Sequence, residues 1–154
     1  MKKLLLLLAL LITGFVTANA QTAKPAYDSL LAKKLGADDY GMKQYVMALL
    51  KKGPNRTQDS TTAANIQAGH MKNIGRMADE GTLVVAGPFE DDWDVRGIYI
   101  FNVATVEEAQ KLTATDPAIK SGRLVMELHP FYCSAALMQV NAIHKTLQKN
   151  SLTD

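Results

Sequence analysis

Hydrophobic positions along this chain follow two patterns: short apolar runs and longer stretches with helical spacing. Four runs rich in branched aliphatic and aromatic residues are bounded by glycine, proline or polar residues, which is typical of β-strands. These predicted strands are residues 43–50, 82–86, 97–103 and 124–131. Two stretches between them carry apolar side chains three or four positions apart, which predicts amphipathic helices over residues 61–81 and 105–112.

Start and stop signals accompany both predicted helices. Thr61 or Thr62 can cap the first helix, and Gly81 ends it at a position where a positive φ is commonly needed. Thr105 and Glu108 have the spacing of a capping box at the start of the second helix. These signals agree with the apolar spacing, so we expect both helices to form.

The predicted order β-α-β-β-α-β is that of a ferredoxin-like α+β fold with an antiparallel sheet. Its strands do not alternate between apolar and polar residues, since Tyr45 and Met47 lie on one face while Val46 and Ala48 lie on the other. Both faces of the sheet therefore need cover. The two helices cover one face, and either the C-terminal helix or the sheet of a second subunit covers the other. We predict a homodimer in which two sheets face each other.

The chain divides into four segments, of which the first resembles an export signal. Residues 1–20 have a basic start, an apolar core and the small-residue motif Ala18-Asn19-Ala20, which predicts a signal peptide cleaved after Ala20. Its apolar run is shorter than the roughly 18 residues of a membrane-spanning helix, so we expect a periplasmic or secreted protein without membrane attachment after cleavage. The remaining segments are an N-terminal arm at 21–41, a folded domain at 42–132, and a C-terminal amphipathic helix (135–148) with its tail at 133–154.

The net charge of the chain gives no reason to expect a nucleic-acid partner. The chain has 17 Lys and Arg residues against 15 Asp and Glu residues, a net charge of +2. Without Lys2 and Lys3 of the predicted signal peptide, basic and acidic residues balance, so the remaining chain has no general attraction for polyanions.

Cys133 is the only cysteine, which excludes an intrachain disulfide. It is best read as a small apolar residue, with a nucleophile or an intermolecular link as alternatives.

The pair His70 and Asp116 is the strongest candidate for chemistry. Helical spacing places His70 on the inward face of its predicted helix, and Asp116 lies in the predicted loop 116–122. A buried imidazole needs a hydrogen-bond partner, and a carboxylate can orient it for acid–base catalysis. We therefore predict a catalytic pair; the alternatives are a structural core histidine and an aspartate that bonds only its own turn. Gly69 lowers helix stability by roughly 1 kcal/mol relative to alanine, which predicts that a strand or ligand approaches there.

Four further residues are predicted to bind substrate. Gly87 and Pro88 follow a buried strand, where glycine lets a ligand approach the backbone. Trp93 lies in an acidic loop, and His129 shares a strand face with Glu127, which would form a polar cavity inside a dimer. The three histidines lack the close spacing of zinc ligands, so we expect neither a metal site nor a cofactor.

The order and spacing of these residues resemble the YCII-related (YciI-like) family of the dimeric α+β barrel group. The shared motifs, spread over residues 42–132, are Gly69-His70-Met71, Ala86-Gly87-Pro88, Val106-Glu107-Glu108-Ala109 and Thr115-Asp116-Pro117. The resemblance implies a ferredoxin-like dimer with a site built on a histidine and an aspartate, here His70 and Asp116. Relatives often carry an arginine three residues before the histidine, where this chain has Gln67, a change that alters any preference for anionic substrates. The family includes a chlorinated-hydroquinone dehydrochlorinase.

The favoured function is a cofactor-independent enzyme of lyase or hydrolase type that acts on a small organic molecule, aromatic ones included. His70 would move the proton, Asp116 would orient His70, and the backbone near Gly87 would border the pocket. The alternatives are a non-catalytic ligand-binding or stress-response module and a structural dimer without a ligand. The expected partners are a second copy of the chain and a small molecule, with no nucleic acid and no membrane.

Overall fold

A computed structural model describes residues 25–151 of the protein. The predicted signal peptide and the first residues of the predicted arm lie outside the described residues. The elements in chain order are α1 (Ser29–Leu35), β1 (Met42–Lys52), α2 (Ser60–Asp79), β2 (Leu83–Pro88), β3 (Val95–Phe101), α3 (Val106–Thr113), α4 (Pro117–Lys120), β4 (Leu124–Ser134), a 3-10 helix (Ala135–Gln139) and α5 (Val140–Leu147).

The four strands form one antiparallel sheet in the order β2-β3-β1-β4. β1 lies between β3 and β4, so Ala48 pairs with Tyr99 on one side and with Leu128 on the other. This architecture confirms the predicted ferredoxin-like α+β fold. Among the described helices, none combines the length and apolar character needed to cross a membrane.

The sheet is apolar on both faces, as the sequence predicted. On one face, here called the helix face, Val46, Ala48 and Tyr99 belong to a buried cluster that includes Met77 of α2 and Ala109 of α3. Because adjacent strand residues point to opposite faces, the neighbours of these residues form the second face. There a smaller cluster of Tyr45, Val84 and Ile100 packs against residues of the 3-10 helix, Leu137 and Met138.

Several boundaries differ from the prediction for identifiable local reasons. Asp59, rather than Thr61 or Thr62, caps α2, since its Oδ1 accepts the Thr62 N–H at 2.8 Å. The predicted loop 116–122 contains the short helix α4, whose proline at the first turn suits a helix start. The predicted stop at Gly87-Pro88 is part of β2, because Pro88 still pairs with Gly97 and edge strands tolerate proline.

Other local predictions are confirmed. Gly81 follows α2 with φ +71°, in the left-handed region that glycine adopts most readily. The capping box of Thr105 and Glu108 is present in both directions. The predicted C-terminal helix begins as the 3-10 helix and becomes α-helical only at Val140.

Candidate functional site

His70 lies in the middle of α2 and is 8% exposed, so the predicted inward orientation is correct. The close approach predicted at Gly69 also exists, and a short helix rather than a strand makes it. A Cβ at Gly69 would lie 3.0 Å from Pro117 Cγ, in the first turn of α4. The missing side chain therefore lets α4 pack against α2 directly beside His70.

Asp116 is completely buried and uses its two carboxylate oxygens for different partners. As the cap of α4, Oδ1 accepts the Ala118 N–H at 2.8 Å. Oδ2 lies 2.7 Å from His70 Nδ1. The sequence offered a local turn bond and a contact with His70 as alternatives, and the structure contains both.

Tyr99 of β3 completes this buried group of side chains. Its hydroxyl lies 3.3 Å from His70 Nε2, and the two rings are stacked with centroids 6.2 Å apart. Burial, with a smaller contribution from the Asp116 charge, raises the pKa of the Tyr99 hydroxyl well above its ordinary value. Tyr99 therefore remains a protonated donor at neutral pH.

The three side chains define a chain of hydrogen bonds with one consistent direction. A carboxylate only accepts hydrogen bonds, so His70 donates from Nδ1 to Asp116. Its Nε2 is then the acceptor for the Tyr99 O–H. We infer this tautomer from the partners, and it leaves the basic nitrogen of His70 on the side away from Asp116.

His70 and Tyr99 both line a cavity of about 770 Å³ on the helix face. This volume lies within the range of small-molecule sites, roughly 300–1,000 Å³. The predicted residues Gly87 and Pro88 also line the cavity. Its apolar wall includes three residues of α2, Ile66, Met71 and Ile74, and α5 contributes a further wall that includes Val140, Asn141, His144 and Lys145.

The other two predicted binding residues lie away from this cavity. Trp93 is half-exposed and packs against Phe89, with ring centroids 5.5 Å apart. His129 pairs with Met47 on the second face of the sheet, where its Nε2 lies 2.9 Å from Glu127 Oε1. The predicted association of His129 with Glu127 is therefore present. A role of Trp93 or His129 in substrate binding stays a prediction.

Sequence reasoning missed three residues that line the cavity: Tyr99, Arg56 and Arg123. Tyr99 could have been recognised, because a tyrosine in a buried strand usually needs a partner for its hydroxyl. The two arginines lie in loops, where no periodic pattern indicates their direction. Within residues 25–151, no cluster of three or more His, Cys, Asp or Glu side chains is arranged to hold a metal ion.

The YCII-related domain model matches residues 44–131, which is more than half of the chain. The match begins within β1 and ends within β4, so it includes His70, Tyr99 and Asp116. α5 and its wall of the cavity lie outside the matched residues. No curated protein matches the chain.

Proposed function

Because this chain belongs to the YCII-related domain family, we propose that it is a cofactor-independent enzyme of lyase or hydrolase type. The observation that carries the proposal is the buried 2.7 Å contact between His70 and Asp116, at an imidazole that also lines a cavity. Catalytic bases are commonly oriented in this way by a carboxylate. The cavity volume and its apolar wall support a small organic substrate, aromatic ones included.

His70 is the proposed proton carrier. Its Nε2 takes a proton from a substrate carbon in a lyase reaction, or from a water molecule in a hydrolase reaction. In the first case the leaving group departs as the electron pair of the C–H bond forms the new double bond, and the proton is passed to the leaving group. In the second case the resulting hydroxide adds to the substrate carbonyl carbon, the bond to the leaving group breaks as the carbonyl re-forms, and His70 returns its proton to the departing group. Asp116 stabilises the imidazolium that exists between the two proton transfers.

Tyr99 is the proposed hydrogen-bond donor to the substrate. Because its hydroxyl stays protonated, it can exchange its bond to His70 for one to a substrate oxygen that gains negative charge. This exchange would free the lone pair of His70 Nε2 at the moment when a substrate occupies the cavity. The 3.3 Å separation is longer than most O–H···N bonds, which makes the exchange less costly.

Turnover assays with His70→Ala and Asp116→Asn test this mechanism. Suitable probes are chloride release from a chlorinated hydroquinone for the lyase reaction and cleavage of 4-nitrophenyl acetate for the hydrolase reaction. We expect His70→Ala to lower kcat/KM by at least about 100-fold, the usual contribution of a general base. Asp116→Asn should lower it by at least about tenfold, since the histidine loses its orienting charge.

The matched control is Lys72→Ala, an exposed position on the same helix. This variant should retain wild-type turnover. A folded His70→Ala protein with unchanged turnover would eliminate the mechanism.

A non-catalytic binding module is the second candidate, and one observation favours it. Among the described residues, every buried side-chain nitrogen and oxygen has a hydrogen-bond partner, so His70, Asp116 and Tyr99 are satisfied without a substrate. Such a module would bind small molecules in the same cavity without converting them. Ligand-induced shifts of His70 and Tyr99 signals in NMR spectra, without product formation, would support this candidate.

Export and dimer formation belong to the same proposal. Export rests on the basic, apolar and small-residue segments of residues 1–20. Dimer formation rests on the apolar second face, where Met47, Leu49 and Ile98 are only half-buried. We propose an exported homodimer whose cavities each lie on a helix face.

A further inference from the structure

The charges around the cavity are unbalanced, although those of the chain after residue 20 balance. Its lining contains four cationic side chains and one carboxylate: Arg56, Arg96, Arg123 and Lys145, with Asp79. Two of these cations already form hydrogen bonds within the protein. Lys145 Nζ bonds Asp79 Oδ1 at 2.8 Å, and Arg96 donates to the loop carbonyls of Asp91 and Trp93.

Arg56 and Arg123 are the cations available to a ligand. Arg56 is exposed and has neither an ion pair nor a hydrogen-bond partner within residues 25–151. In the same part of the chain, the side chain of Arg123 bonds a neutral amide, since its Nη1 donates to Gln58 Oε1 at 2.9 Å. Neither guanidinium is neutralised by a carboxylate of the described residues.

Backbone hydrogen bonds hold the two arginine loops together. The Gly53 N–H donates to the Arg123 carbonyl at 2.9 Å, and the Asn55 N–H donates to the Gly122 carbonyl at 3.0 Å. Gly53 also lets the two backbones approach, because a Cβ there would lie 2.2 Å from the Gly122 oxygen. The second loop follows α4, the helix whose first turn positions Asp116 against His70. The loops that carry the arginines are therefore tied to the element that builds the histidine site.

We propose that the cavity selects a small organic oxyanion whose charged group binds Arg56 and Arg123 and whose apolar body lies against α2. The planar guanidinium group forms paired hydrogen bonds with carboxylate or phosphate oxygens. The apolar part of the ligand contacts Ile66 and Ile74, which line the same cavity. The inference rests on the proposed function in one respect only, which is that the reacting part of the ligand lies at His70.

This arrangement supplies the positive charge from two loops rather than from α2. Gln67, one turn before His70, lines the cavity without a charge. A preference for anions therefore depends on Arg56 and Arg123 in this chain, and those two side chains are the ones to substitute.

Binding of three probes that share a phenyl ring tests the proposal. Benzoate and phenyl phosphate carry the two oxyanions, and benzamide is the neutral counterpart of benzoate. We expect calorimetry or NMR titration of the full chain to show at least one oxyanion binding about tenfold more tightly than benzamide. The double variant Arg56→Gln/Arg123→Gln should lose about tenfold in oxyanion affinity, as expected for charge-assisted hydrogen bonds, and keep its benzamide affinity within about twofold. The ratio of benzoate to phenyl phosphate affinity identifies the preferred oxyanion.

The matched control is Lys111→Gln, which removes one positive charge from an exposed position on α3 outside the cavity. The single variant Arg56→Gln preserves the test if Arg123→Gln disturbs folding, because Arg56 makes no contact that the fold needs. Three results would each overturn the proposal. They are equal binding of all probes, an equal loss of oxyanion affinity in the Lys111 variant, and no binding of any probe at about 10 mM, a concentration at which even a Kd of about 1 mM gives roughly nine-tenths occupancy.

His70→Ala separates this inference from the proposed function. The preference for an oxyanion should persist in that variant, since the histidine does not bind the charged group. A preserved preference without any catalysis in the wild type would overturn the enzyme alone. Catalysis that depends on His70, without a preference between benzoate, phenyl phosphate and benzamide, would overturn the anion site alone.

Discussion

At the scale of single residues, Asp116 shows how two simple interpretations of one side chain combine. Its local role as a helix cap follows from the Asp-Pro sequence, and its contact with His70 joins residues 46 positions apart. The inward direction of His70 was predictable from helical spacing. The contact itself was not, because it depends on how α4 packs against α2 through Gly69 and Pro117.

Tyr99 was missed for a related reason. Its strand is a continuous apolar run, which predicts that the tyrosine is buried and that its hydroxyl has a partner but does not indicate which side chain that partner is. Only the tertiary structure shows that the hydroxyl meets His70. Arg56 and Arg123 were missed because loop residues carry no periodicity from which a shared wall can be inferred.

The raised pKa of Tyr99 predicts a loss of stability in alkaline solution. In the unfolded chain this tyrosine ionises near its ordinary value of 10.0, whereas burial keeps it protonated in the folded state. The stabilisation from the neutral hydroxyl is therefore complete below pH 10 and is lost as the pH rises above it. The difference amounts to roughly 1.4 kcal/mol for each pH unit above that point. Tyr99→Phe should lose less stability than the wild type between pH 9 and pH 11.

Urea unfolding at pH 8, 10 and 11 measures this difference. At pH 8 the variant should be less stable by about 1 kcal/mol, the usual net value of one hydrogen bond. Tyr40→Phe is the control because the Tyr40 side chain is 87% exposed. Parallel pH profiles for the wild type and Tyr99→Phe would contradict the prediction.

At the scale of elements, the segments with a periodic apolar pattern were predicted well, and the four-residue helix α4 was not. β1, β3 and α2 have enough residues for their apolar spacing to be read, and their centres agree with the structure. α4 has four residues, which is too short for any period. The prediction of a loop there was wrong because the proline and the Asp116 cap stabilise a single helical turn without an apolar pattern.

The cavity wall formed by α5 depends on a few polar contacts. None of the residues of α5 is fully buried. Asn141 Nδ2 donates to the Leu83 carbonyl at 2.7 Å and to the Ala78 carbonyl at 3.3 Å. These bonds join α5 to the edge strand β2 and to the last turn of α2. Lys145 adds an exposed ion pair to Asp79, so Asn141 is the half-buried polar anchor of this wall.

Asn141→Ala should release α5 without unfolding the domain. Removing two hydrogen bonds of a half-buried amide is worth about 1–2 kcal/mol, or roughly a tenfold shift of the docking equilibrium. We expect faster amide hydrogen exchange confined to α5 and weaker binding of cavity ligands. Hydrogen exchange with mass spectrometry resolves the segment.

Thr146→Ala is the control on the same helix, because Thr146 Oγ1 bonds only the Ile143 carbonyl one turn earlier. Its α5 exchange should resemble that of the wild type. Unchanged exchange in Asn141→Ala would mean that the helix is held by other contacts.

At the scale of the whole molecule, the sheet topology followed from the order of the elements, while the cover of the second face did not. The sequence left open whether the C-terminal helix or the sheet of a second subunit covers that face. The 3-10 helix covers the part around Tyr45 and Ile100. Leu49, paired with Ile98, stays only half-buried beside Glu127 and His129. The C-terminal segment thus covers part of the face and leaves the rest only half-buried.

The uncovered part of the second face predicts a homodimer that a single charge can dissociate. Sedimentation velocity should give twice the chain mass for the wild type. Leu49→Arg should yield monomers because a large charged side chain would be buried between the sheets, where the neighbouring carboxylate of Glu127 already bonds Lys51 and His129. His129→Glu is a second variant at a half-exposed position, where it adds a negative charge beside Glu127 without disturbing the core. Ile143→Arg, on the exposed side of α5, should remain dimeric. A monomeric wild type, or dimers that survive both Leu49→Arg and His129→Glu, would place the second face in solvent and leave the 3-10 helix as its only cover among residues 25–151.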